Sequence, residues 1–136
     1  MYGVSKIGGV VFLFFVDRLL KTLIYYVGSF FVFSRTQNMT WLNISSYQWW
    51  SMVFELLVLL VLIYYLATNY ALLRVNERAS LLAIVLGGIS NIFDRIAYSG
   101  VIDYISLSRI SFNIADVCIV GGVVYLIFTS KPTRSS

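Results

Sequence analysis

The chain has 136 residues, 60% of them hydrophobic and only 12% charged, with a formal net charge of +4. A soluble domain carries roughly 25% charged residues, so this deficit and a mean hydropathy of +0.86 exclude a water-facing globule and leave one integral membrane domain, residues 1–136. The absence of histidine excludes Ser-His and Cys-His catalysis and the usual zinc sites, and the basic residues form no stripe of the kind that binds nucleic acid.

A spanning helix needs about 20 mostly apolar residues, and four segments qualify. The expected fold is all-α, with four transmembrane helices. The first runs from about Ile7 to Gly28 and contains Asp17, Arg18 and Lys21. Asp17 and Lys21 are four apart and share a helix face, with the acid N-terminal to the base, the better order for such a pair. Two readings stay open for them: a structural ion pair, or a brace for a neighbouring site. The length of this segment, its charges and the lack of a small-residue cleavage site argue against a signal peptide.

Residues 29–49 are polar and aromatic, and predict an extracytoplasmic loop with a small β element or lid. Trp41, Trp49 and Trp50 fit an interfacial belt. The second helix is expected over 50–70, with Glu55 near its outer end as an interfacial or helix–helix contact. The connection 71–78 is short and basic. The third helix, about 79–98, ends in Asn91, Asp94 and Arg95, which share one face. There an Asp94–Arg95 pair would lock the helix to the next loop, or the three form a plain helix-end cluster.

The outer loop 99–109 holds Gly100 and Asp103. The fourth helix is expected over 110–129, with Asn113 and Asp116 in its outer turns. Cys118, two residues past Asp116, points to another face and reads as a structural thiol. As the sole cysteine it allows no intrachain disulfide. Lys6, Arg74, Arg78, Lys131 and Arg134 fall on one side, and Arg35 and Arg109 on the other. This bias places both termini in the cytoplasm and the loops 29–49 and 99–109 outside.

Asp103 alone reads as a solvated loop residue, whereas Asp116 within a spanning helix needs a partner or a proton. If Asp103 folds over the outer end of the fourth helix, the two carboxylates can share one proton. That pair supplies a general base to activate water and a general acid to protonate a leaving amine.

Three stretches resemble the lipoprotein signal peptidases, or signal peptidase II. Phe14-Phe15-Val16-Asp17-Arg18-Leu19-Leu20-Lys21 is similar to a D-x-x-x-K element. Gly88-Ile89-Ser90-Asn91-Ile92-Phe93-Asp94-Arg95, continuing to Gly100-Val101-Ile102-Asp103-Tyr104-Ile105, is similar to N-x-x-D-R and G-x-V-x-D-[FY] elements. Phe112-Asn113-Ile114-Ala115-Asp116 is similar to F-N-x-A-D. The order and placement of these elements agree with the family from about residue 7 to 128.

The resemblance implies an aspartic endopeptidase of the bacterial cell membrane, with its active site near the extracytoplasmic face and Asp103 and Asp116 as the catalytic pair. Asn91, Arg95 and Asn113 would position the substrate backbone or the acids, and Asp17, Lys21 and Asp94 would support the fold around them. The implied substrate is a prolipoprotein carrying diacylglycerol on a cysteine, cleaved just before that residue, by a monomer that needs membrane lipid but no metal or cofactor. The family's N-x-G-x-A-F stretch is only echoed here, in Gln37-Asn38-Met39-Thr40-Trp41-Leu42-Asn43, where Asn38 can match the asparagine. The segment between Asp103 and Asp116 is also short. Both departures touch the lid and bear on substrate preference rather than reaction type. The competing readings are a small four-helix transporter subunit, with Asp17 or Glu55 as its membrane acid, and a non-catalytic relative.

Overall fold

A computed structural model describes residues 2–27, 45–98, 100–107 and 110–129, with side chains described outside 2–4 and 45–49. It contains α1 (Tyr2–Val27), α2 (Ser45–Asn69), α3 (Val75–Tyr98), β1 (Ile105–Leu107), β2 (Ile110–Phe112) and α4 (Ile114–Thr129). The strands pair antiparallel, with Ser106 opposite Ser111.

The four expected helices are present, with shifted ends. The first three begin earlier than their apolar runs, because polar residues form the opening turns. At α3 the Glu77 carboxylate accepts the Arg74 N–H at 2.7 Å, satisfying a donor that a helix start leaves without an intrahelical partner. The fourth begins later than expected. Residues 110–112 pair as a strand, and Asn113 then caps the helix. Of the segment 29–49, where a β element was anticipated, residues 45–49 open α2 and the rest lie outside the described residues; the described hairpin sits between α3 and α4.

α3 packs against each of the other helices, and α1 also meets α4. The α3–α4 crossing is close because it is built on glycine. A Cβ on Gly87 would stand 2.7 Å from the Ala115 carbonyl oxygen and 2.8 Å from Ile119. Seven residues further along α4, a Cβ on Gly122 would meet the Ser80 carbonyl at 2.7 Å and Ile84 at 2.8 Å. Missing side chains let the two backbones touch, the packing mode that serves where apolar burial gives little drive. α2 is held differently, by Leu59 seated on Gly88 of α3, and Leu59 is its one buried residue among those described.

Polarity is inverted relative to a water-soluble protein. The largest fully buried side chains are Lys21, Asn113, Asp17, Asp94 and Ser90. Phe12, Phe15 and Leu19 of α1, Leu56, Leu57 and Leu60 of α2, and Val120, Ile127 and Phe128 of α4 are exposed. By length and composition, α2 from Trp50 and α3 can each cross a membrane. The apolar outside and the polar inside together suit a lipid solvent, where buried polar groups must satisfy one another.

Candidate active site

The polar interior starts on α1. Asp17 and Lys21 form the i,i+4 ion pair expected from their spacing, at 3.0 Å. The Lys21 ammonium also reaches Asp94 of α3 at 2.9 Å, Asn91 Oδ1 at 3.0 Å and Ser90 Oγ at 3.2 Å. Its charge is thereby shared between two buried carboxylates. The second cation is Arg18, which pairs with Asp94 at 2.5 Å and lies over the Phe93 ring, 4.3 Å from its centroid. Two acids and two bases cancel, the condition for burying charge in an apolar medium. Among the described residues, no buried side-chain nitrogen or oxygen lacks a hydrogen-bond partner.

Asp94 therefore does not pair with Arg95. Adjacent residues of a helix point about 100° apart, so Asp94 faces α1 while Arg95 turns to α2 and pairs with Glu55. The anticipated lock to the next loop does exist, but Asp94 makes it alone, by accepting the Ile102 N–H at 3.3 Å. Glu55 is the helix–helix contact expected of it. Neither acid that a small transporter subunit would use is open. Asp17 is fully enclosed and Glu55 is paired.

Asp17 also organises the end of the bundle where α4 begins. Its carboxylate accepts the Ser90 hydroxyl at 2.6 Å, the Tyr104 hydroxyl at 2.8 Å and the Ala115 N–H at 3.3 Å. Tyr104 in turn accepts the Ile114 N–H at 3.1 Å. Burial pushes the Tyr104 phenol well above its ordinary value; the Ile114 N–H opposes this, and the negative charges of Asp17 and Asp116 add to it.

The two candidate acids meet at Asn113, which is fully buried. Its side-chain oxygen accepts the Asp116 N–H at 3.0 Å, and Asp116 Oδ2 accepts the Asn113 N–H at 3.1 Å. This reciprocal cap fixes the first turn of α4. The Asn113 amide donates to Asp103 Oδ1 at 2.8 Å and, more weakly, to Asn91 Oδ1 at 3.4 Å. Asn91 donates to the other Asp116 oxygen at 2.8 Å. One asparagine thus grips both acids, and a second, itself held by Lys21, orients Asp116. Both acids stay half-buried, open enough to meet a substrate.

Of the residues singled out from the sequence, Asp17, Lys21, Asn91, Asp94, Asp103, Asn113 and Asp116 form one connected network. Arg95 stands beside it with Glu55, and Asn38 lies outside the described residues. Arg18, Ser90 and Tyr104 belong to the network and were not singled out. Two membrane acids, Asp17 and Asp94, with one obvious cation, Lys21, call for a second, and Arg18 was the candidate. Cys118 is half-buried rather than enclosed. Among the described residues, no group of three His, Cys, Asp or Glu is arranged to hold a metal ion.

The model of the signal peptidase (SPase) II family matches residues 9–131. The chain belongs to this family. Curated relatives include lipoprotein signal peptidases of Streptococcus pyogenes. That of serotype M5, strain Manfredo, is 40% identical over 83 residues, covering 59% of this chain and 54% of the relative. That of serotype M3, strain MGAS315, is 39% identical over the same length. The chain spans about half the length of the curated relatives it matches. Among solved structures, a bacterial membrane enzyme determined by the in meso method at 1.9 Å superposes with a TM-score of 0.71 at 20% identity, covering 96% of this chain and 94% of that one. A second, at 2.3 Å, gives 0.70 over 97% and 93%. These two likenesses establish the fold.

Proposed function

We propose that this member of the signal peptidase II family is an aspartic endopeptidase of the bacterial cell membrane. It removes the signal peptide from diacylglyceryl-modified prolipoproteins by cutting just before the lipidated cysteine. The observation that carries the reading is the single Asn113 amide and cap holding Asp103 and Asp116 together at the outer end of α4.

In this mechanism the two carboxylates hold one proton between them. The ionised acid takes a proton from water as the hydroxyl oxygen bonds to the scissile carbonyl carbon. The protonated acid then gives its proton to the departing amine nitrogen as the C–N bond breaks, and the pair is left with one proton again. Asn91, Asn113 and Arg95 are positioning residues, and Asp17, Lys21 and Asp94 hold the helices that carry the acids. The exposed apolar faces of α1, α2 and α4 are the lipid-facing surface. The termini lie in the cytoplasm and the acids near the extracytoplasmic face.

The test is processing of a diacylglyceryl-modified precursor by the purified chain in proteoliposomes, beside the same precursor without lipid. Wild type should release the signal peptide from the lipidated form alone. Asp103→Asn and Asp116→Asn should each insert into the membrane and release none. Full processing by either variant would overturn the mechanism.

A further inference from the structure

Arg18 uses only part of its guanidinium on the protein. Its hydrogen bonds, to Asp94, to Ser90 Oγ and to the Ser90 carbonyl, all leave from one nitrogen, Nη1. Among the described residues, Nε and Nη2 make none. No buried side-chain nitrogen of those residues lacks a partner, so these two atoms lie at the surface of the bundle, and the side chain is 17% exposed. Phe93 covers one face of the guanidinium, and the bonded Nη1 fixes its rotation. What remains is a rigid edge, Nε with Nη2, the fork that grips a phosphate or carboxylate two-pronged. Asp17 faces α4 through Ala115, whereas Arg18, about 100° further round α1, opens beside Phe93 rather than toward the acid pair.

We propose that a membrane phospholipid binds in the seam between α1 and α3, its phosphate taken by the Nε–Nη2 edge of Arg18 and its acyl chains lying along Phe15 and Ile89. Donors that face hydrocarbon need an acceptor, because an unsatisfied one is costly there, and the oxygens a bilayer offers are those of its lipids. The depth fits. Asp94, which holds Arg18, stands four residues before the end of α3 at Tyr98, a rise of about 6 Å. The 24 residues of α3 make a helix about 36 Å long, against about 30 Å of hydrocarbon. The guanidinium therefore lies near the level where acyl chains meet headgroups. One turn nearer the membrane interior, Phe15 on α1 and Ile89 on α3 are both exposed, which gives the chains an apolar bed below the phosphate. The site goes beyond the proteolytic reading and rests on the lipid-facing surface, not on the acid pair.

The experiment is native mass spectrometry of the full chain, delipidated in detergent and titrated with phosphatidylglycerol. Wild type should retain one lipid in preference to further ones. Arg18→Lys keeps a charge opposite Asp94 but has no second edge, and its affinity for that lipid should fall about tenfold, the worth of one hydrogen bond to a charged group. Phe93→Leu leaves the Arg18–Asp94 pair in place and frees the guanidinium to swing, so retention should weaken in the same direction. Thermal unfolding in the same detergent shows which variants are folded, and Phe93→Leu carries the test if Arg18→Lys is not. Equal retention by wild type and a folded variant overturns the proposal. So does a wild type that keeps no phospholipid, since water then completes Arg18. Inorganic phosphate and diacylglycerol, added separately, should leave the bound lipid in place. Displacement by phosphate would mean a free-anion site and displacement by diacylglycerol a purely apolar one, and either overturns the assignment. Because the readout is binding, its failure leaves the proteolytic reading standing, and a failure of processing leaves the lipid site standing.

Discussion

The Tyr104 hydroxyl donates to Asp17 at 2.8 Å, across 87 residues of sequence. That bond ties the loop bearing Asp103 to the buried charges of α1, and the Ile114 N–H closes the clamp from the α4 side. Residues 103 and 104 thus dock as a pair on residues 113 and 114.

Tyr104→Phe should keep the fold and lose the clamp. The expected stability loss is about 1 kcal/mol for the missing hydrogen bonds, with a larger proportional loss of kcat as Asp103 gains freedom. The raised phenol adds a pH signature. The folded chain keeps this proton where the unfolded chain has released it, so stability is intact below the ordinary value of 10.0 and falls as pH rises above it. Thermal unfolding in detergent across that range should fall less steeply for the Phe variant than for wild type.

Asn113 has two duties that substitution can separate. Asn113→Ser keeps an oxygen that can cap α4 but has no amide for Asp103, whereas Asn113→Ala has neither. The alanine variant should lose about 1 kcal/mol more than the serine variant, the usual worth of a cap. Processing of the lipidated precursor should drop in both by about 10²-fold, the scale of a misplaced reacting group. Near-wild-type turnover in the serine variant would show that the grip on Asp103 is dispensable.

Lys21→Met leaves Asp17 and Asp94 with Arg18 alone. Breaking a buried pair from one side costs about 3–5 kcal/mol, and unfolding in detergent should show a loss of that order. Asp17→Asn combined with Lys21→Met removes one charge of each sign and should cost less than Lys21→Met alone. A larger loss in the double variant would mean that Asp17 matters through its hydrogen bonds to Tyr104 and Ala115 more than through its charge.

The adjacent glycines of α4 should respond in opposite ways. Around Gly121 a Cβ would meet nothing within 4 Å, while around Gly122 it would stand 2.7 Å from a backbone oxygen. Gly121→Ala should be neutral or stabilising by up to about 1 kcal/mol. Gly122→Ala should destabilise by about 1–3 kcal/mol through overpacking. Equal melting temperatures for the two variants would contradict the close crossing.

Much of this site was legible before any coordinates. The spacing of Asp17 and Lys21 foretold their pair, since both lie on one helix and the helical repeat decides who meets whom. The same repeat is silent on which face meets which neighbour. That is why Asp94 was matched with Arg95 and its true partner Arg18, 76 residues away, was missed. Asp103 and Asp116 were brought together by motif, and their shared hold on Asn113 is tertiary information. The hairpin 105–112 escaped notice because its strands are three residues each, too short for an alternating pattern to register. The helix starts were misread where polar first turns and the Asn113 cap, rather than apolar content, set the boundary.

The glycine crossing of α3 and α4 has a mechanical consequence. Its two contacts are near mirror copies, Gly87 on Ala115 and Ile119, and Gly122 on Ser80 and Ile84. Sliding one helix along the other would drive isoleucine into backbone at both places at once. The crossing acts as a double detent, setting the height of Asp116 against Asn91 from Ala115 beside the acid and from Gly122 more than a turn away. α2 has no such glycine detent among the described residues, where Leu59 on Gly88 is its one buried contact.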